Sequence, residues 1–333
     1  MTEISENVLK GESKKLSKNN GIIRDYDLFI FSCGWESRCV EIINYDSKSF
    51  NFDNAIIISF MSKDGMGYEE EYMKKLLLFA KEKSTNVERI EYYPNRLEIM
   101  AEEICQSLFK LYLKLKRPLF IGYDMTCSPR YIFLYLMAFC FKYNISKEIS
   151  FFYSEGIYDT NPEKYIHTKG NWSILEIPGL EAKEFEINKK LFVISAGWEG
   201  SRYRSLISRY EPDKIGILLP DPGFSEEYTL QSTNECKPLI NDYNIQSDSI
   251  VKAPAGDAIY AWDMLRSPAL NGNSYHIAYL TFGPKPHALA MGLRGFVNDN
   301  ISVLYRIPEG YYKIEVKPNG KFWEYDIKNI LSI

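Results

Sequence analysis

The chain has 333 residues, of which 45% are hydrophobic and 25% are charged, and its formal net charge is -4. This length suffices for two domains with full cores, and the charge argues against the strongly basic surface that duplex nucleic acid binding requires. The six Cys form no CxxC pair and the three His are scattered, so we expect neither a metal site nor a disulfide framework. Reduced cysteines favour a cytoplasmic protein.

The N-terminal residues 1–21 are polar and predict a segment outside the first domain, without the apolar core of a signal peptide. The longest apolar stretch, YIFLYLMAFCFKY at 131–143, is too short to span a bilayer and predicts a buried helix. We therefore expect no membrane association.

Residues 22–160 alternate short apolar runs with helix-length patterns. The apolar runs are, in chain order, DLFIFSC, AIIISF, RIEYY, PLFIGYD and EISFFYS, and the last three gaps between them are long enough for helices. This alternation is typical of βαβ units and predicts a parallel sheet. The sequence therefore predicts a first Rossmann-like domain over 22–160.

Residues 188–308 repeat the same plan. KLFVISAGWEGSR corresponds to DLFIFSCGWESR, and HIAYLTFGPKPHALA corresponds to PLFIGYDMTCSPRYIF. This repetition predicts an internal duplication and a second Rossmann-like domain. A Lys/Glu-rich linker over 161–187 joins the two, and 309–333 predict a C-terminal β-hairpin around the sequence PNG. The predicted fold class is therefore α/β, with two tandem Rossmann-like parallel-sheet domains.

Distinctive side chains follow the first strand of each half. Open parallel sheets bind ligands beyond the carboxyl ends of their strands. The loops after strand one supply Trp35, Glu36 and Arg38 in the first half and Trp198, Glu199 and Arg202 in the second. A simpler structural role is also open, in which the Glu lies in the first turn of a helix and the Trp packs against a neighbour. Repetition of the loop after the same strand favours a binding role.

The loops after strand four carry further candidates. They are Asp124, Thr126, Ser128 and Arg130 in the first half and Gly283, Lys285 and His287 in the second. A loop that enters a helix N-terminus offers backbone N–H groups and the positive end of the helix dipole, which suit a phosphate. Arg130, Lys285 and His287 would add positive charge there. The structural alternative is a helix cap formed by Asp124 or by the prolines.

The segment TFGPKPHALAMGL, and more loosely DMTCSPRYIFLYL, resembles the strand-four loop of CRISPR-associated Rossmann-fold (CARF) sensors and their SAVED relatives. Residues 283–285 match the end of the Thr-Gly-Gly-Thr-Lys-type loop of that family. Thr126 and Ser128 match it by residue type, and Arg130 lies one or two places past the Lys position. The resemblance implies fused CARF-like units that sense cyclic oligonucleotides in bacterial antiviral defence. No effector module accompanies the two halves, so the resemblance implies either a separate effector protein or a two-lobed body that acts on its own ligand.

The first functional hypothesis is a sensor that binds a nucleotide-type ligand, a class that includes cyclic oligonucleotides, in a cleft between the duplicated halves. Lys285 and Arg130 would hold phosphate, and Trp35 and Trp198 would stack on bases. The partner is then a small phosphorylated molecule. No cofactor is expected, and the oligomeric state stays open.

Two alternatives belong to other classes. In an enzyme acting on a phosphorylated or nucleotide-like substrate, Glu36 and Glu199 would be general acid or base, beside Arg38 and Arg202. Such a protein would be a hydrolase or a transferase. In a non-catalytic assembly subunit of a defence complex, the same loops would bind a partner protein.

Overall fold

A computed structural model of the protein describes residues 2–5, 8–61, 67–93, 96–159, 168–183, 188–199, 203–272 and 274–330. The chain divides into two compact units, of which the first comprises Met1–Ile157 with Lys313–Ile333 and the second comprises Tyr158–Tyr312. Each unit has its own sheet and is described by itself.

The described residues contain fourteen β-strands, which are β1 (Thr2–Ser5), β2 (Leu9–Leu16), β3 (Arg24–Cys33), β4 (Phe50–Phe60), β5 (Asn86–Tyr92), β6 (Leu119–Asp124), β7 (Ser146–Ile157), β8 (Thr168–Glu176), β9 (Lys190–Ser195), β10 (Lys214–Pro220), β11 (Ile250–Ala253), β12 (His276–Leu280), β13 (Ile301–Tyr311) and β14 (Lys317–Asn329). They also contain seven α-helices, which are α1 (Glu70–Lys83), α2 (Leu97–Leu115), α3 (Arg130–Lys142), α4 (Tyr203–Tyr210), α5 (Glu226–Asp242), α6 (Ala258–Met264) and α7 (Lys285–Val297). None of these helices combines enough length and apolar character to cross a membrane.

The sheet of the first unit has the order β1-β2-β14-β7-β6-β3-β4-β5. Strands β7, β6, β3, β4 and β5 are parallel to one another, whereas β14, β2 and β1 extend the sheet in antiparallel pairing. Numbered along the chain, the five parallel strands lie in the order 3-2-1-4-5, which is the Rossmann arrangement. The apolar run of β3 is buried along residues 26–33, as expected of a strand at the centre of a parallel sheet.

The sheet of the second unit has the order β11-β10-β9-β12-β13-β8. Its strands β9 to β13 are parallel and again lie in the order 3-2-1-4-5, and β8 pairs with β13 in antiparallel fashion. The predicted fold class is therefore confirmed: the protein is α/β and consists of two Rossmann-like halves with the same strand order.

Segments that the sequence placed outside the two domains contribute strands to them. Residues 1–21 contain β1 and β2, which lie at one edge of the first sheet, and residues 161–187 contain β8, which lies at one edge of the second. Edge strands expose one side to solvent and carry charged residues. Their composition therefore resembles that of a linker.

The C-terminal residues 309–333 are arranged differently from the expected β-hairpin. Strand β13 ends at Tyr311 in the second unit, and β14 pairs with β7 and β2 of the first unit. The PNG sequence lies inside β14, where the pairing register shifts between Pro318 and Phe322 and Gly320 has a φ of +85°. The PNG sequence, which is typical of a turn, therefore forms a bulge within β14. The strands that pair with β14 are distant from it in sequence.

An ion-pair network lies on β14, where this strand joins β2 and β7. Glu324 and Asp326 are buried, and the Lys14 ammonium lies 3.0 Å from Glu324 and 3.6 Å from Asp326. Arg24 lies 2.9 Å from Asp326 and 2.6 Å from Glu148. Burial, reinforced by the negative charge of Asp326, raises the pKa of Glu324 to about 7 in spite of Lys14 and Arg24.

We predict that deprotonation of Glu324 makes the free energy of unfolding fall as pH rises from about 4.5 to about 7. The folded state holds this proton more tightly than the unfolded chain, so the folded state binds more protons in that window and loses relative stability as pH rises. Glu324→Gln should reduce the difference in stability between pH 5 and pH 8 by about 1–3 kcal/mol, measured by urea denaturation at both values. The exposed Glu82→Gln variant serves as the control. Identical pH dependence in Glu324→Gln and the wild type would contradict the prediction.

Candidate functional site

The carboxyl ends of the first and fourth parallel strands meet at the point of each sheet where the strand order reverses. In the first unit, β3 and β6 pair through Ile30 and Tyr123, and in the second, β9 and β12 pair through Val193 and Tyr279. Ile30 and Val193 precede the Gly-Trp-Glu loops, residues 34–36 and 197–199, by the same spacing. The loops therefore occupy equivalent positions. Open α/β sheets bind their ligands at such a switch point.

The two loops at the second switch point approach each other closely. A Cβ on Gly283 would lie 2.4 Å from the carbonyl oxygen of Ala196. A Cβ on Gly197 would lie 2.9 Å from the carbonyl oxygen of Phe282. Both positions therefore require glycine because the two backbones touch, and the strand-one and strand-four loops form a single surface in this unit.

The helices that follow strand four begin in the same way in both units. Pro129 is the N-cap residue of α3 and Pro284 is that of α7, so Arg130 and Lys285 are the first helical residues. Both side chains are partly exposed. Both cations thus begin the helix after strand four, although Arg130 follows Tyr123 by seven residues and Lys285 follows the equivalent Tyr279 by six. Each lies at the positive end of a helix dipole, so the charge of side chain and helix adds.

In the first unit, Glu36 and Arg38 form an ion pair beside the carboxyl end of β7. The Arg38 Nε lies 2.5 Å from Glu36 Oε2. Its Nη1 donates to the Tyr153 hydroxyl and to the Ser154 carbonyl oxygen, each at 3.2 Å. Arg38 is buried, whereas Glu36 is partly exposed and its Oε1 accepts no hydrogen bond from a described residue.

In the second unit, Glu199 is paired with an arginine from another part of the chain. The Arg306 Nη2 lies 2.5 Å from Glu199 Oε2, and its guanidinium lies 4.0 Å from the centre of the Trp172 ring. The Glu199 Oε1 accepts hydrogen bonds from the Thr168 backbone N–H at 3.2 Å and from the Thr168 hydroxyl at 2.6 Å. Arg202, the partner expected from the sequence, lies outside the described residues.

Arg306 occupies the position in the second unit that Ser154 has in the first. The register pairs that establish this are Tyr123 with Phe151 and Tyr279 with Val303. Ser154 and Arg306 follow these partners by the same number of residues. A guanidinium therefore lies at the end of strand five in both units, from the strand-one loop in one and from strand five in the other. Sequence reasoning missed Arg306, although it follows the apolar run ISVLY directly.

The two tryptophans have different surroundings. Trp35 is partly exposed, and its Nε1 donates to the Ile314 carbonyl oxygen at 2.9 Å. Trp198 is only 9% exposed. Its ring centroid lies 5.1 Å from that of Tyr158 and 4.9 Å from that of Tyr228. The Trp35 ring also packs against a ring of its own unit, with its centroid 4.9 Å from that of Phe60. The two tryptophans therefore differ in exposure, since Trp35 is partly exposed and Trp198 is nearly buried.

The polar residues in the first strand-four loop stabilise the loop itself. The Asp124 Oδ1 accepts the Thr126 N–H at 2.9 Å, and the Thr126 Oγ1 accepts the Ser154 N–H at 2.9 Å. The Ser128 Oγ lies 2.7 Å from the Tyr123 hydroxyl. Asp124, Thr126 and Ser128 are all buried. The structure thus brings these three candidates to the switch point, where they shape the backbone beside Arg130.

His287 does not supply the positive charge expected of it. The ring is fully buried, and its Nε2 donates to the Pro254 carbonyl oxygen at 3.1 Å. Burial lowers the pKa of His287 to about 4, so the ring is neutral at pH 7. His287 is therefore a structural contact between α7 and the end of β11.

Three thiols belong to the core beneath the first switch point. Cys33 and Cys39 are buried in one apolar cluster, and Cys127 packs against it. The contact with Cys127 lowers the pKa of Cys39, but the hydrogen bond with Cys33 and burial together outweigh it, so the pKa lies well above its ordinary value. Within the described ranges, no group of three or more His, Cys, Asp or Glu side chains is placed to hold a metal ion.

Comparisons with known proteins give no family for this chain. No protein-family model matches the sequence, and no curated protein is similar to it. A solved multidomain structure of a keto acid-selecting NRPS module, with adenylation, ketoreductase and pseudo Asub parts, is similar over 83% of this chain at 8% sequence identity and a TM-score of 0.20. The alignment covers 28% of that chain. A likeness at this TM-score carries no argument about function.

We predict that Gly283→Ala and Gly197→Ala destabilise the protein, whereas Gly34→Ala is tolerated at the position equivalent to Gly197. The new methyl group meets a backbone carbonyl oxygen in the first two variants and only the Cys127 Cβ, at 3.6 Å, in the third. Overpacking should cost about 1–3 kcal/mol at Gly283 and Gly197, against roughly 0.5 kcal/mol or less at Gly34. Urea denaturation measures all three. Equal losses in the three variants would show that the loops do not touch.

Proposed function

We propose that the protein binds a phosphorylated, nucleotide-type ligand at a switch point and serves as a cytoplasmic sensor in bacterial antiviral defence. Each unit repeats one arrangement, and this recurrence carries the proposal: a cation that starts a helix, Arg130 or Lys285, beside a Gly-Trp-Glu loop where the strand order reverses. Ligands of parallel sheets bind at that place. A cation at a helix N-terminus favours a phosphate group.

The first unit offers a complementary group for each part of a nucleotide. The partly exposed ring of Trp35 suits stacking on a base. The Glu36 Oε1 suits a hydrogen bond from a base amino group, and Arg130 suits the phosphate. Because Arg38 neutralises Glu36 at 2.5 Å, the carboxylate repels an approaching phosphate less strongly. One site can therefore accept both a base edge and an anion.

The ion pairs favour binding over catalysis. Glu36 and Glu199 each lie 2.5 Å from a guanidinium nitrogen. A carboxylate held in this way is suited to positioning a ligand rather than to exchanging protons with one. We therefore expect the nucleotide to be released intact. The resemblance of residues 283–285 to CARF and SAVED loops supports cyclic oligonucleotides as members of the ligand class and a separate effector as partner.

We expect Arg130→Ala to weaken nucleotide binding at least tenfold, because a charge-assisted contact to phosphate contributes about 1.5–3 kcal/mol. Isothermal titration would use the nucleotide that gives the largest thermal shift among linear and cyclic nucleotides. Arg209→Ala removes an exposed arginine at the end of α4 and should leave the affinity unchanged. Wild-type affinity in a folded Arg130→Ala protein would contradict the assignment of Arg130.

A further inference from the structure

We infer, on the basis of the proposed function, that the two halves are not equivalent binding sites. The first switch point is open to a nucleotide, whereas the second is closed by side chains of its own unit, with Thr168 in the place of the ligand. The comparison between the halves starts from Glu36 and Glu199, because these carboxylates follow equivalent strands at equivalent positions.

The two carboxylates differ in how completely they are engaged. The Glu36 side chain is 18% exposed, and only its Oε2 accepts a hydrogen bond from a described residue, namely Arg38. The Glu199 side chain is 5% exposed. Both of its oxygens are engaged, Oε2 by Arg306 and Oε1 by Thr168. The oxygen that accepts no hydrogen bond from the described residues in the first unit is therefore engaged in the second.

Thr168 supplies the contacts that a base would make. Its backbone N–H and its hydroxyl both donate to Glu199 Oε1, which is the kind of hydrogen bond that a base amino group gives to a carboxylate. The Trp172 Nε1 donates to the Thr168 Oγ1 at 3.1 Å, and the Arg306 guanidinium lies over the Trp172 ring. Thr168 is therefore held between Glu199, which accepts two hydrogen bonds from it, and the Trp172 Nε1, which donates one to it, and Thr168 is itself buried.

The stacking surface is filled in the same way. Trp198 lies among the rings of Tyr158 and Tyr228, and Phe224 stacks on Tyr158 with centroids 5.7 Å apart. Because Trp198 is only 9% exposed among these rings, a base would find little of its surface to lie on. Trp35, at the equivalent position of the first unit, is partly exposed. The carboxylate and the ring that a base would contact are thus both engaged internally in the second half, and one nucleotide is expected per chain.

Carboxylate footprinting tests this without any nucleotide. The folded full-length chain is treated with a carbodiimide and glycine ethyl ester, and labelling of each Glu is followed by peptide mass spectrometry. Glu36 should be labelled several-fold faster than Glu199, with exposed Glu82 as the internal reference for full reactivity. Glu36 and Glu199 should react at equal rates in urea, where neither carboxylate is shielded. Equal rates in the folded protein would overturn the inference.

Thr168→Ala removes the hydroxyl donor together with the γ atoms that cover Glu199 Oε1, and only the backbone N–H stays in contact with this oxygen. In the variant, labelling of Glu199 should rise several-fold, while that of Glu36 should stay at its wild-type rate. Circular dichroism establishes whether the variant is folded. If it is unfolded, the labelling rates of Glu36 and Glu199 in the wild-type protein still test the inference. No rise at Glu199 in a folded variant would overturn the assignment of the Thr168 side chain as the group that closes this site.

Isothermal titration with the nucleotide identified by thermal shift separates this inference from the proposed function. One equivalent per chain is expected, and two would overturn the inference while leaving nucleotide binding in place. Absence of binding by every linear and cyclic nucleotide would contradict the proposed function, whereas the footprint would still decide whether the halves differ.

Discussion

A carboxylate held by a guanidinium at the switch point is the interaction on which both halves depend. Glu36 and Arg38 form it in the first unit, and Glu199 and Arg306 in the second, each at 2.5 Å. Removing charges from water is costly unless they are paired and their remaining groups are hydrogen-bonded. Contacts of Arg38 with Tyr153 and Ser154 meet that need in the first unit. In the second, the Arg306 guanidinium stacks on Trp172, and its Nη1 has no hydrogen-bond partner among the described residues. The pair therefore fastens the strand-one loop to strand five.

The two halves reach this arrangement by different routes. The guanidinium comes from the loop after β3 in the first and from β13 in the second, yet it lies at the end of strand five in both. Both units keep the carboxylate–guanidinium pair although the arginine comes from different segments. The placement of the guanidinium at the end of strand five therefore matters more than its position in the sequence. Beyond the pair, the halves diverge, because Thr168 engages the carboxylate of the second and no described residue engages the Glu36 Oε1.

Local patterns in the sequence were sufficient for the parallel strands, the helices between them and the repeat, because hydrophobic periodicity reports burial directly. They also located the switch-point loops, since the carboxyl ends of parallel strands lie at one edge of a sheet. Arg306, Thr168 and β14 could not be found in this way. Their partners lie far away in the chain, and the pairing of distant segments leaves no local periodicity. The PNG sequence shows the same limit, because a turn signal and a bulge signal are alike in composition.

The most direct test of the account is a thermal-shift screen of the purified chain against linear and cyclic nucleotides, followed by mass spectrometry of every nucleotide that shifts the melting temperature. A ligand that binds the folded state raises this temperature by mass action. The account predicts a shift with at least one nucleotide, which is recovered intact after incubation. Conversion of that nucleotide to a product would contradict the sensor, and no shift with any nucleotide would contradict the site itself.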